Sequence, residues 1–215
     1  VNTARAELSK LLTLPSLRRT ALLTWAATVL LAYGYAYASA ESAGEPLGDD
    51  AGLAPLGYTQ AGFLVFGVLA ATSEYQEGDQ IRTTLLAMPR RLPLQAAKAL
   101  ALAALTLPVA AATAVTSTLP ADAPAWMPAA TAYLTLTTLL AAAVASLVRR
   151  AVPAAILLLG LYFVAGPLLR ARFSASAAYL PDTAALDPSR GAAATIAWTC
   201  AALTLAASVF RRRDA

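Results

Sequence analysis

The sequence predicts an all-α membrane protein with six transmembrane helices. Three observations predict it. Six apolar stretches lie between Ala21 and Phe210, each near the about 20 residues that a helix needs to cross roughly 30 Å of hydrocarbon. Lys98, one turn into the third, is the sole charged residue inside any stretch. The cations gather instead in alternate gaps between stretches, as a polytopic topology requires. Composition agrees, because 59% hydrophobic against 13% charged residues, with mean hydropathy +0.61, leaves too little polar surface for a soluble fold. Six helices use most of the 215 residues, so the chain has room for one helical membrane domain and none for a soluble catalytic domain.

Residues Val1–Arg19 interleave Leu8, Leu11, Leu12 and Leu14 with Arg5, Glu7 and Lys10 before Arg18 and Arg19. Apolar residues three and four apart give one greasy face, and the cations can reach lipid headgroups. Two readings are open: a helix lying in the cytoplasmic interface, or a basic flank that only fixes orientation. Pro15 then bends the chain into the first span, Ala21–Ala38, whose Tyr33, Tyr35 and Tyr37 fit an interfacial aromatic belt. The pair Arg18-Arg19, the apolar run and Ala36-Tyr37-Ala38-Ser39-Ala40 also match a cleaved secretory signal, which would leave five spans. The segment preceding that pair is long for such a signal, so six spans is the preferred reading.

The remaining spans are Leu56–Ser73, Leu94–Ser117, Ala125–Val148, Ala151–Leu169 and Ala192–Phe210. Pro108 is placed to kink the third, and Pro153 sits near the start of the fifth, where proline is tolerated. Thr131, Thr135 and Thr138 share one face of the fourth span, and Thr195 and Thr199 one face of the sixth. Hydroxyls and small Ala faces are ordinary helix-packing material, so packing is the favoured role and substrate contact the second. Cys200 is the lone cysteine, so no intrachain disulfide forms, and packing is its expected role.

Counting cations sets the topology. With the N-terminus in the cytoplasm, Arg5, Lys10, Arg18, Arg19, Arg82, Arg90, Arg91, Lys98, Arg149, Arg150, Arg211, Arg212 and Arg213 fall inside. Only Arg170, Arg172 and Arg190 fall outside, and the first external loop carries Glu41, Glu45, Asp49 and Asp50. Both termini are therefore expected in the cytoplasm. The net charge of +4 is explained by this signalling, and nucleic acid is not an expected partner.

Residues Glu74–Arg91 are the most distinctive stretch. Ile81, Leu85 and Met88 fall on one stripe of a short helix. Glu74 and Glu77 precede it and Arg90 and Arg91 follow it, each sign suiting the nearby helix end. Gly78 can turn the chain into that helix and Pro89 ends it. The stripe serves either docking onto a soluble partner or burial in the membrane surface. Residues Arg170–Gly191 form an external loop with short amphipathic pieces broken by Pro181 and Pro188, read as a cap or as an ordinary interfacial loop.

Several chemistries are excluded. No histidine is present, which removes His-based metal sites, Ser-His triads and His relays. A P-loop needs Gly-x-x-x-x-Gly-Lys, and neither Lys10 nor Lys98 has a preceding Gly. No acid lies mid-span, which argues against an ion-coupled carrier. Asp182 and Asp187 sit among prolines, where a solvated loop is expected. An enzyme is not expected.

The amphipathic N-terminal stretch, the run from Glu74-Tyr75 to Pro89-Arg90-Arg91 with Lys98 downstream, and Tyr179-Leu180-Pro181-Asp182 carry a resemblance. Over essentially its full length the chain resembles ABC-2 type transporter permeases of the actinobacterial kind. In many relatives Gly runs almost directly into the Ile-Arg pair, whereas here Asp79 and Gln80 intervene. The resemblance implies a bacterial cell-membrane exporter in which two six-span permeases, expected as a homodimer, pair with two separate ATPase subunits. It implies an N-terminal elbow helix, and a coupling loop over 74–91 with Glu74, Tyr75, Gly78, Ile81, Arg82, Thr84, Leu85, Met88, Pro89 and Arg90 engaging the ATPase. Arg149 and Arg150 would make a second cytoplasmic contact, and re-entrant helices before the last span would cap the pathway. No cofactor is implied on this chain; ATP and Mg belong to the partner ATPase. The Ala, Leu and Thr faces, including Thr131, Thr135 and Thr138, favour an amphipathic or hydrophobic substrate, with an antibiotic as the preferred guess. The alternative is a non-transport membrane scaffold or sensor subunit that docks a cytoplasmic partner.

Overall fold

A computed structural model describes residues 2–43, 54–76, 91–120, 126–173, 179–182 and 188–213. Among these the regular structure is all helical. The helices are α1 (Asn2–Thr13), α2 (Pro15–Ala43), α3 (Ala54–Gln76), α4 (Arg91–Thr118) and α5 (Met127–Val148). They are followed by α6 (Ala151–Gly160), a π-helical turn (Leu161–Ala165), α7 (Gly166–Arg172) and α8 (Pro188–Arg213). Six segments are long and apolar enough to span a membrane: Pro15–Ala38, Ala54–Tyr75, Pro93–Thr118, Met127–Val148, Ala151–Arg172 and Gly191–Arg211. The chain is thus a multi-pass helical membrane protein.

Helix boundaries follow local chemistry. Leu14 alone separates α1 from α2, with its N–H donating to the Leu11 carbonyl at 3.3 Å. Pro15 opens α2, at the helix start where a missing N–H is no loss. α2 runs unbroken through Ala36–Ala40 to Ala43. Pro108 is accommodated inside a continuous α4. The α5–α6 turn consists of Arg149, left-handed at φ 60°, and Arg150, extended. The π turn is marked by the Gly166 N–H, which donates five residues back to the Leu161 carbonyl. Pro167 explains it, since its ring has no N–H for the Phe163 carbonyl and would crowd that carbonyl in a regular helix.

α5 is the axis of the bundle and packs against α3, α4, α6 and α8. One apolar cluster joins Leu56, Phe63, Ala110, Ala114, Ala130, Tyr133 and Leu134. A second joins Leu64, Val68, Leu140, Ala141, Ala145, Ala154, Leu158 and Tyr162. The third matters most for the site: Leu11 and Leu17 pack with Phe66, Ala70, Ala101 and Leu102, so much of the greasy face of α1 is covered by α3 and α4. Leu12 stays exposed. α2 is fixed by the Thr28–Thr59 hydroxyl pair at 3.1 Å and by Trp25 Nε1 donating to Thr116 Oγ1 at 3.1 Å.

Small residues set the closest crossings. Gly62 faces the Thr24 side chain, and Gly67 lies against the Thr138 carbonyl; a Cβ at either position would overlap those atoms. Outward, Leu22, Leu23, Leu30, Val152, Ile156, Leu168 and Leu205 are exposed, an arrangement that suits hydrocarbon. Tyr33, Tyr35 and Tyr37 are also exposed on α2. Cys200, expected in packing, is instead exposed on α8, because the buried stripe of that helix is made by Ala194, Thr195, Thr199, Ala206 and Phe210.

Candidate functional site

The end of the bundle where α1, the end of α3, the start of α4 and the α5–α6 turn meet carries a knot of charge. Glu74, in the last turn of α3, has a side chain only 8% exposed and accepts from two lysines. Lys10 Nζ of α1 donates to its Oε1 at 2.9 Å, and Lys98 Nζ of α4 donates to its Oε2. One carboxylate thus joins three helices. Helical spacing explains the placement: Lys98 lies in the second turn of α4, facing the last turn of α3, and Lys10 lies in the last turn of α1. A carboxylate buried at the rim of an apolar bundle is tolerable only when both oxygens are engaged by cations.

Glu7, one turn before Lys10, faces the same centre. Burial first, and then the neighbouring Glu74 carboxylate, raise its pKa above the ordinary value, against the opposing pull of Lys98 and Lys10. A cavity of about 70 Å³ lies here, and its lining includes Glu7, Lys10, Glu74 and Lys98 as well as Leu11, Leu102, Leu139 and Leu203. Beside it, the Arg149 guanidinium stands over the Tyr75 ring, 5.5 Å from the centroid.

The structure therefore brings Arg149 onto Tyr75, the neighbour of Glu74, although the resemblance assigned these residues to two separate contacts. Arg150 is exposed in the same turn. Gly78, Ile81, Arg82, Thr84, Leu85, Met88, Pro89 and Arg90 lie outside the described residues, so the short helix expected there has no structural description. Thr131, Thr135 and Thr138 each donate to the carbonyl four residues back, and Thr138 is fully buried and also reaches the Phe63 carbonyl at 3.4 Å. Thr195 and Thr199 do the same, with additional bonds to the Pro181 and Leu136 carbonyls.

A second polar group, at the opposite end, was not foreseen. Asp182, expected to be solvated, is only 3% exposed and pairs with Arg170 of α7. Gly166 permits this, since a Cβ there would collide with the Asp182 carboxylate. Segment 179–182 is held further by Thr195 Oγ1 donating to the Pro181 carbonyl at 2.9 Å and Trp198 Nε1 donating to the Tyr179 carbonyl at 2.8 Å. α7 extends to Arg172 and α8 begins at Pro188, so the helices take up both ends of the expected external loop 170–191. The re-entrant helices expected within it fall largely on residues outside the described set.

No protein-family model matches the chain, and no curated protein matches it.

Proposed function

We propose that this chain is the permease subunit of an ATP-driven exporter of the ABC-2 type, acting as a homodimer with two separate ATPase subunits that hold ATP and Mg. In this reading it resides in a bacterial cell membrane with both termini cytoplasmic. The cargo is an amphipathic or hydrophobic molecule, with an antibiotic the first to try.

The observation that carries this reading is the double ion pair on Glu74. Segment 77–90 follows α3 in sequence and starts three residues beyond a carboxylate tied to α1 through Lys10 and to α4 through Lys98. A force applied to that segment is delivered to three helices at once, which is what a subunit driven by an external motor requires. The Arg149–Tyr75 contact extends the same junction to the α5–α6 turn. α1, clamped along α3 and α4, serves as the elbow.

The test is co-expression with each candidate P-loop ATPase from the neighbouring reading frames. The wild-type chain is expected to copurify with one such ATPase and stimulate its hydrolysis, whereas Ile81→Asp and Leu85→Asp should reach the membrane but lose the complex. An intact complex in both variants removes the segment as the docking element. A chain that binds a partner yet supports no ATP-dependent movement across a vesicle membrane is a scaffold instead.

A further inference from the structure

The cavity beside Glu74 is lined from α1, α3, α4, α5 and α8, and its lining is graded from polar to apolar. On α3, Glu74 lines it near the end of the span and Ala70 lies one turn deeper. On α4, Leu102 lies one turn deeper than Lys98, and on α5 Leu139 lies about two turns deeper than Ser146. Charge thus sits at the rim of the bundle, where lipid headgroups lie, and apolar lining follows toward the bilayer interior. That is the polarity of a lipid molecule. The volume of about 70 Å³ is several times the roughly 10–15 Å³ that one water needs, so a group of several heavy atoms fits. Small side chains leave the room: Ala99 of α4 and Ala142 and Ala143 of α5 share the lining.

Both signs of charge are to spare at the polar end. Glu74 commits one oxygen to Lys10 and the other to Lys98. A lysine ammonium has three donors, and these two side chains keep 30% and 21% exposure, so donors remain within reach of a ligand. Glu7 lines the cavity half-buried, and among the described residues it forms no ion pair. Two acids and two lysines leave the cluster neutral when all are ionised. A lone cation or a lone anion would unbalance it. A head that carries both charges answers Glu7 with one and the lysines with the other.

We propose that this cavity binds the head of a zwitterionic phospholipid bearing a primary amine, with its ammonium on Glu7, its phosphodiester on Lys10 and Lys98, and its adjoining apolar part directed at Leu102, Leu139 and Leu203. The primary ammonium matters because its N–H groups can donate to the Glu7 carboxylate, whereas a quaternary ammonium has none to give. Burial and the Glu74 carboxylate both disfavour the charge on Glu7, and the lipid ammonium supplies the counter-charge. Few polar groups set against an apolar wall are the usual make-up of a small-molecule site. A lipid held there bridges α1 and α4 at the junction that Glu74 already ties. This inference stands apart from the transport reading, since it concerns the chain and its bilayer alone.

The experiment is native mass spectrometry of the full chain, titrated separately with dioleoyl phosphatidylethanolamine, phosphatidylcholine and phosphatidylglycerol. The ethanolamine lipid should bind about tenfold more tightly than either of the others, the value of one charge-assisted hydrogen bond. Phosphatidylcholine keeps the phosphate but has no N–H, and phosphatidylglycerol has no cation. Glu7→Gln should bring the ethanolamine lipid down to the choline lipid, about a tenfold loss, and leave the choline lipid unchanged. Ala99→Leu fills the cavity without altering charge and should also weaken the ethanolamine lipid. Equal binding of the three lipids overturns the proposal, as does an ethanolamine preference that survives in Glu7→Gln or in Ala99→Leu. Tightest binding of phosphatidylglycerol overturns it in favour of an anion held by the lysines alone. Should Ala99→Leu fail to fold, the wild type and Glu7→Gln decide.

Discussion

The Arg149 guanidinium stands over the Tyr75 ring with 5.5 Å to the centroid, joining the α5–α6 turn to the last turn of α3. Arg149 holds a left-handed backbone, φ 60°, and among the described residues no other non-glycine does so. The conformation caps α5, with the Arg149 N–H donating to the Ala145 carbonyl at 2.7 Å, and lets two residues reverse the chain. For an L-residue it costs about 1–2 kcal/mol, and glycine would remove that cost.

Two substitutions separate strain from stacking. Arg149→Ala keeps the strain and loses a cation–π contact worth about 0.5–2 kcal/mol. Arg149→Gly loses the contact and also the strain, so it should denature close to the wild type and above the Ala variant. In a double-mutant cycle, Tyr75→Leu should destabilise the wild type but have little further effect beside Arg149→Ala. Equal Tm values for the Gly and Ala variants would show that the left-handed turn carries no strain.

Glu74 should be the most sensitive position at its end of the bundle. Glu74→Gln leaves Lys10 and Lys98 facing a neutral amide in place of a carboxylate. Breaking a fully buried pair costs roughly 3–5 kcal/mol. Here the lysine side chains keep 30% and 21% exposure, so solvent offsets part of the loss and about 2–3 kcal/mol is expected. Lys10→Met should cost less than Lys98→Met, because Lys10 is the more exposed. Chemical denaturation of the three variants in one detergent checks the order.

The spans and the break at Pro15 were legible because they rest on apolar run length and on a residue with no N–H, both local properties. The six spans coincide with the expected ones to within a few residues, apart from the start of the first and the end of the fifth. The Glu74 knot was not legible, since Lys10 is 64 positions away and only packing of α1 on α4 brings it in. Lys98, an isolated charge inside an apolar stretch, was the available signal that an acid must face it. Asp182 was misread because an acid between prolines looks solvated. The clue lay in Gly166-Pro167 with Arg170 four residues past the glycine: a proline that forces a π turn, a gap without Cβ and a cation aimed at it.

Gly67 should resist even alanine. A Cβ there would overlap the Thr138 carbonyl oxygen, a backbone atom in the middle of α5 that cannot swing aside. Separating α3 from α5 disturbs the most extensive helix pairing in the fold, so Gly67→Ala should destabilise by about 1–3 kcal/mol. Gly34 has open space around its missing Cβ, and Gly34→Ala should leave Tm unchanged or slightly raised. The pair, measured side by side, distinguishes a packing constraint from a general intolerance of larger residues.

Glu7 supplies a dependence on pH whose sign is fixed by its environment. Burial, reinforced by Glu74, raises its pKa in the folded chain above the ordinary 4.5. An acid with a raised folded pKa penalises folding when charged; the penalty is fully present above the folded pKa and fades as pH falls through it toward 4.5. Glu7→Gln removes the charge at every pH. The variant should therefore be more stable than the wild type at neutral pH, and the difference should close on acidification to below about 4.5. Tm series for the two proteins across that range supply the check. A Gln variant less stable than the wild type at neutral pH would mean that the Glu7 charge is stabilised by Lys10 and Lys98 more than burial opposes it.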